Sequence, residues 1–177
     1  RRVSDVVKSA ASTKTNEERL IARHFKPIAR HPGALALIDD AAALRLPSGH
    51  DLVVTADAIV GGVHFFTDDP AGAIARKALR GNLSHLAAKG ARPSGFLLSL
   101  ALPKSVGDAW LKGFSRGLSS DSKKFACPLL GDDTVPTLGP LMVSVAAFAT
   151  LPSGTMVRRA GARVGDHIVV SGTIGDA

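Results

Sequence analysis

Residues 69–90 read Asp69-Pro70-Ala71-Gly72-Ala73-Ile74-Ala75-Arg76-Lys77-Ala78-Leu79-Arg80-Gly81-Asn82-Leu83-Ser84-His85-Leu86-Ala87-Ala88-Lys89-Gly90. This stretch decides the fold. Asp suits a helix cap and Pro suits the first helical position. Ile74, Ala78, Leu79, Leu83, Leu86 and Ala87 form one apolar stripe, and Gly90 suits the residue just past the helix end. Such a helix needs an apolar surface to lie on. Downstream, Phe96 to Leu102 reads as a strand ended by Pro103. Val106 to Lys124 reads as a second long helix with Trp110, Leu111, Phe114 and Leu118 inward. Ala126 to Leu130 reads as a strand leading into Gly131-Asp132-Asp133-Thr134, and Leu141 to Leu151 as a long β-prone run.

Upstream, Asp51 to Asp57 reads as a strand that ends on an acid, after a turn at Pro47-Ser48-Gly49. Gly61-Gly62 breaks the chain before His64-Phe65-Phe66. Ala34 to Ile38 is a short apolar run, read as a strand ending in Asp39-Asp40. Thr15-Asn16-Glu17-Glu18 has capping-box spacing. Leu20, Ile21 and Phe25 follow at helical spacing, and Pro27 closes that helix. Residues 1–14 are small, polar and basic, and are expected to be a disordered extension. Residues 152–166 are turn-rich and basic, and His167 to Ser171 reads as a last strand. The order α-β-β-α-β-α-β-β-loop-β implies an α+β fold, a mixed β-sheet with helices on one face.

Composition sets the outer limits. The chain has 177 residues, 45% of them hydrophobic and 21% charged, which suits a globular core. Lys and Arg number 22 against 15 Asp and Glu, a formal net charge of +7. Most of that excess lies in residues 1–30, so the high pI does not imply a basic face on the domain. With no Tyr and one Trp, base-stacking platforms are poorly supplied, and no nucleic-acid partner is expected. No apolar run approaches the ~18 residues of a membrane span. The lone Cys127 excludes an internal disulfide and reads as an inert core thiol. The start lacks Met and an apolar targeting segment, and the end falls just after a strand, so the chain reads as a fragment.

The familiar phosphate-loop, dinucleotide, nucleophile-elbow and zinc-protease signatures are absent. What remains is three sets of acids, Asp39-Asp40, Asp57 and Asp132-Asp133, each read as standing at a strand end. Carboxylates gathered that way repel one another unless a cation sits among them, and oxygen donors favour magnesium, which commonly bridges to nucleotide phosphates. The alternative is that these acids are solvated turn formers and caps. His64 reads either as a half-buried packing residue or as a group reaching a phosphate. His85, on the long helix, reads as structural. Arg158-Arg159 with Arg163 either grip phosphate or form a solvated loop.

Several motifs, in this order, resemble the thiamine-monophosphate kinases, relatives of aminoimidazole-ribonucleotide synthetase and selenophosphate synthetase. They are Leu20-Ile21-Ala22-Arg23-His24-Phe25; Asp39-Asp40-Ala41-Ala42; Thr55-Ala56-Asp57 with Val60-Gly61-Gly62-Val63-His64-Phe65; Lys77-Ala78-Leu79 with Asn82-Leu83-Ser84; Leu86-Ala87-Ala88-Lys89-Gly90-Ala91; Gly131-Asp132-Asp133-Thr134; and Arg158-Arg159-Ala160-Gly161-Ala162-Arg163-Val164-Gly165-Asp166. Any one alone is weak; together they are specific, and they run from about residue 16 to 177.

The resemblance implies an aminoimidazole-ribonucleotide-synthetase-like N-terminal domain over residues 15–151, followed at 152–177 by the truncated start of a second α+β domain. It implies ATP- and magnesium-dependent phosphorylation of thiamine monophosphate to thiamine diphosphate by a cytoplasmic homodimer. By matched position, Asp40, Thr55, Asp57 and Asp133 would be magnesium ligands. Gly131, Asp132 and Asp133 would touch ATP, Arg159 would hold its phosphates, and His64 would contact the substrate. The acceptor is already an anionic phosphate, so charge neutralisation matters more than a strong base.

This sequence also departs from the family pattern. His85 stands where the family has a metal-ligating Asp, Ala56 where it has Thr, and Asp132 and Ile38 where it has Gly. Two other readings are a nucleotide-binding or dimerisation module without catalysis, and a superfamily enzyme with another acceptor. The Val-His-Phe and Asn-Leu-Ser motifs favour the thiamine branch.

Overall fold

A computed structural model describes residues 16–170 and 172. The expected extension at 1–14 and Thr15 of the capping box lie outside them. Four strands form one mixed sheet in the order β1-β4-β2-β3: β1 His50–Val60, β2 Arg92–Pro103, β3 Leu129–Thr137 and β4 Met142–Pro152. β4 is antiparallel to both β1 and β2, and β2 is parallel to β3. The α+β class and the mixed sheet of the sequence reading are thus present.

Two helices cover one face. They are α2, Ala71–Ala87, and α3, Asp108–Lys124; the short α1 spans Asn16–Leu20. β4 alternates strictly: Val143, Val145, Ala147, Ala149 and Leu151 are buried under the helices, while the residues between them are half-buried. Phe96, Leu98 and Leu100 of β2, Leu129 of β3 and Val53 of β1 complete this floor. Above it lie Ile74, Leu79 and Leu86 of α2 and Phe114 and Leu118 of α3, all nearly or fully buried. Among the described residues no helix lies over the opposite face, and Leu52, Val54, Leu97 and Val135 are exposed there.

α2 and α3 meet backbone to backbone. A Cβ on Gly117 would lie 2.5 Å from the Gly72 carbonyl oxygen and 2.6 Å from its Cα. Glycine is required there by close approach, not by an unusual φ. Further along the same pair of helices, Arg80 of α2 donates from Nε and Nη2 to the two carboxylate oxygens of Asp121 on α3, at 2.5 and 3.0 Å. Asp121 is 1% exposed, so its charge is held by one forked partner. At the other end of α2, Gly90 takes φ 72° and Ala91 N donates to Leu86 O at 3.1 Å. That is the glycine-terminated helix end expected from the sequence.

Several expectations are corrected. Asp69 does not cap α2; its carboxylate accepts from Phe66 N at 3.0 Å and closes the preceding turn, leaving Pro70 at the cap. α3 begins at Asp108, not Val106. The first helix becomes a π turn over Ile21–Phe25, where Lys26 N donates to Ile21 O. Ala34 to Ile38 is not a strand: Ala34 to Leu37 lie in a 3-10 segment, Pro32–Leu37, in which Leu35, Ala36 and Leu37 take φ of 48°, 55° and 55°, and Ile38 follows as its cap. Ala43 N donates to Gly33 O there, so the chain loops on itself instead of offering an edge. β1 continues through Asp57 to Val60, and β3 begins at Leu129 and carries Gly131 to Thr134 inside it. Pairing with β4 and β2 outweighs the poor strand propensity of Gly and Asp.

The expected last strand is not formed over residues 167–170; Ser171 lies outside the described residues. A strand needs a partner, and β1 to β4 pair only with one another. Ile168 and Val169 are 96% and 85% exposed. The turn after β4 is tied down by Asp51, which accepts from Ser153 Oγ at 2.7 Å and Gly154 N at 3.0 Å. No helix among the described residues is long and apolar enough to cross a membrane.

Candidate functional site

β1 and α2 run past each other in opposite senses, which brings early β1 residues to the C-terminal end of α2. Thr55 and Asp57 sit two apart on β1 and so share its helix-covered side. His85 of α2 reaches down to both. Its Nδ1 lies 3.4 Å from Thr55 Oγ1 and 3.7 Å from Asp57 Oδ2. The ring and the carboxylate are each about half exposed, 56% and 54%, so water and ligands reach this seam.

Further along the same seam, the β1–α2 loop is built by its own backbone. Gly62 takes φ 77°, and its amide donates to Phe65 O at 2.9 Å. The exposed His64 accepts at Nδ1 from Val60 N, 3.1 Å away. A ring nitrogen that accepts carries no proton, so the proton of the neutral ring sits on Nε2, which is left as a donor. Lys77 Nζ donates to the His64 carbonyl at 2.5 Å and fastens the loop to α2. Lys77, Gly81 and His85 recur every four residues and share one face of that helix.

The β3 acids are placed differently. β1 and β3 are the two edges of the sheet, about 14 Å apart at three strand spacings. Register defines two rows across it. On the helix side, Asp57 aligns with Val145, Leu98 and Asp132; on the uncovered side, Ala58 aligns with Ser144, Ser99 and Asp133. Asp132 and Asp133 therefore point to opposite faces. Asp133 is exposed beside Ser99. Asp132 lies near α1, and both of its carboxylate oxygens are buried with no hydrogen-bond partner. Burial, reinforced by the charges of Glu17 and Asp133, pushes its carboxyl up to about 7. Beside it the buried Thr134 hydroxyl also lacks a partner, while Thr134 N donates to Glu17 Oε1 at 3.5 Å.

The structure thus brings Thr55, Asp57 and His85 together, with His64 along the same seam. Asp133 and Gly131 stand on the far edge strand. Asp40 is exposed in the loop before β1, with φ 51°. Arg159 is exposed on a segment that Val157 ties to the end of α2 by donating to Lys89 O at 3.3 Å. Among the described residues no three His, Cys, Asp or Glu side chains converge as a metal site. Magnesium prefers an all-oxygen shell. Asp40 and Asp133 supply suitable oxygens, whereas the β1–α2 set includes an imidazole nitrogen and fits magnesium poorly.

Three contributions were not assigned from sequence. Ser99 and Ser144 extend the Asp133 row; the available signal was a Ser at an alternate position in each of two apolar strands. Lys77 was noted only within a motif. Asn82, also noted only within a motif, is fully buried, donates to Ala78 O at 3.1 Å and leaves Oδ1 unpartnered.

The family described as AIR synthase related protein, N-terminal domain, matches residues 38–151. A thiamine-monophosphate kinase of Caulobacter vibrioides is 46% identical over 173 residues, covering 97% of this chain and 49% of that protein. The crystal structure of a thiamine-monophosphate kinase from Stenotrophomonas maltophilia is similar with a TM-score of 0.70 at 36% identity, over 81% of this chain and 47% of that one. AaThiL complexed with AMPPCP and TMP is similar with a TM-score of 0.63 at 28% identity, over 72% of this chain and 40% of that one. The chain spans about half the length of the curated relatives it matches.

Proposed function

The chain belongs to the AIR synthase related family through its N-terminal domain, and from that premise we propose that it is the ATP-binding part of a thiamine-monophosphate kinase. The whole protein would transfer the γ-phosphoryl group of ATP to thiamine monophosphate, giving thiamine diphosphate. The observation that carries this reading is the match along 97% of the chain to the Caulobacter kinase. The likeness to a structure holding AMPPCP and TMP supports the same pair of ligands.

In this proposal residues 15–151 form the ATP-binding domain, and 152–177 begin a second one. Gly131 and Asp133 face the ATP side from the uncovered sheet, and Asp132, whose carboxylate is buried on the other side, contributes only backbone there. Arg159 holds phosphate through its guanidinium fork. His64 offers its Nε2 proton to the thiamine monophosphate phosphate, with Lys77 fixing the loop beneath it. Asp40 and Asp133 are the magnesium-side oxygens this reading uses; Thr55 and Asp57, which meet the His85 ring on the other side of the sheet, fit that ion less well. Bound magnesium would offset the charge of the two approaching phosphates. A homodimer through the uncovered sheet face accounts for the exposed Leu52, Val54, Leu97 and Val135, because exposed apolar patches of this kind mark interaction surfaces.

The test is thiamine diphosphate formation from ATP and thiamine monophosphate by the chain in its full-length context. Turnover that falls roughly tenfold or more in Asp133→Asn supports the reading. AMPPCP binding by the full-length protein, with no thiamine diphosphate formed from ATP, would instead favour a nucleotide-binding module. Light scattering at twice the monomer mass, reduced by Val54→Glu, tests the dimer.

A further inference from the structure

We propose that the pocket between the C-terminal end of α3, the 28–31 segment and the start of β2 binds a phosphomonoester, a phosphate group carrying a compact apolar body. The pocket has a volume of about 390 Å³, within the ~300–1,000 Å³ of small-molecule sites. None of its lining residues belongs to the set used in the kinase reading, so the inference stands apart from that reading. Its polar groups converge from three elements: Arg30 and His31 from the 28–31 segment, Ser119, Ser122 and Lys123 from α3, and Ser94 from β2. Arg30 Nε donates to Pro27 O at 3.1 Å, which orients the guanidinium and leaves its outer nitrogens to bind. His31 Nδ1 accepts from Gly33 N at 3.0 Å, so the proton of the neutral ring stands on Nε2 as a donor. Lys123 has no ion-pair partner among the described residues. Ser122 is 8% exposed, and its hydroxyl has no hydrogen-bond partner among the described residues, so it can serve a ligand in the pocket.

Little in the pocket competes for those donors. Among the described residues no carboxylate lines it. Asp121, the one acid in the last turns of α3, is held by Arg80 of α2. The carbonyls of Asp121, Ser122 and Lys123 already accept from the amides of Phe125, Cys127 and Ala126. The helix end therefore presents few bare acceptors to an incoming anion. A carboxylate would offer two oxygens to these donors, whereas a phosphomonoester offers three around a tetrahedral centre and carries nearly two charges. Donors arriving from three elements suit the second arrangement. Ile28, Ala126 and Pro128 add an apolar wall, which inorganic phosphate alone would leave unused.

The test is isothermal titration of the full-length protein with phenyl phosphate, with AMPPCP present throughout to occupy a nucleotide site. We expect binding that weakens roughly tenfold or more in Arg30→Gln and again in Lys123→Gln. Filling the site should also shift the His31 imidazole proton resonances. Inorganic phosphate should bind the same site roughly tenfold more weakly, because it leaves the apolar wall uncovered. Arg30 and Lys123 are exposed, so neither change should alter the circular dichroism spectrum. Phenyl phosphate affinity unchanged in the double variant, or His31 resonances that stay still at saturation, would overturn the proposal. Inorganic phosphate binding as tightly as the ester would refute the choice of an ester. Thiamine diphosphate formation is read in a different assay, so the failure of either reading leaves the other standing.

Discussion

Asp57 and Asp132 occupy the two ends of one row across the helix-covered side of the sheet. They share strand environment, chemistry and side, yet differ in nearly everything that matters for function. Asp57 is half exposed and meets His85 and Thr55. Asp132 has both oxygens buried and unpartnered, and its carboxyl titrates near neutrality. A third acid sharpens the contrast. Asp121 is almost wholly buried, but Arg80 grips both of its oxygens. The lesson is that a carboxylate becomes a ligand, a structural charge or a liability according to what covers it, not according to its place in a motif.

The largest effect is expected where the cover supplies a partner. Arg80→Ala leaves the Asp121 charge buried alone and should cost about 3 kcal/mol in denaturant unfolding, the lower part of the range for a broken buried pair. It should also loosen α2 over Asp57. A loss below about 0.5 kcal/mol would show that Asp121 finds water, and the distinction between Asp121 and Asp132 would fail.

Asp132→Ala comes next, with the opposite sign. The folded carboxyl is raised from 3.8 to about 7, so between those values the folded state binds the extra proton. Native stability should therefore fall as pH rises through that window. The substitution should stabilise by about 1–3 kcal/mol at about pH 8 and give little or no gain at about pH 4. A gain independent of pH would mean that the charge is not the cause.

Asp51→Asn should give the smallest effect and the reverse pH trend. The Gly154 amide, then the Ser153 hydroxyl, hold the Asp51 carboxyl below its usual value. Its contribution is present above the unfolded value and lost as pH falls through the folded one. The melting-temperature difference between the two forms should therefore shrink to zero in acid, below about pH 4. A difference that grew in acid would refute the assignment.

Much of the helical layer was legible because period and capping agree: the Ile74–Leu86 stripe and Gly90 fix α2, and Phe114 and Leu118 fix the inner side of α3. β4 was legible as an unbroken β-prone run. The acids stand out in the sequence, but their arrangement does not. Treating Asp132-Asp133 as a strand end hides the alternation that sends neighbours to opposite faces once β3 is extended by pairing to β2. Asp57 posed the same problem within β1. The 34–38 run and residues 167–170 are apolar enough for strands, but partner availability, which no local window contains, decides them. The convergence of His85 on Thr55 and Asp57 depends on the opposed paths of β1 and α2, and so became visible only in three dimensions.

Gly72 and Gly117 deserve a final consequence. Side chains in contact can exchange rotamers and absorb small changes, whereas two backbones in contact have nothing to rotate. This pair therefore acts as a datum, the point from which the outer surface of α2 is positioned over β1. Substitutions that merely thicken it would tilt the helix without altering any ligand. Their signature would be a changed spacing between His85 and its β1 neighbours, arising from a place that touches neither.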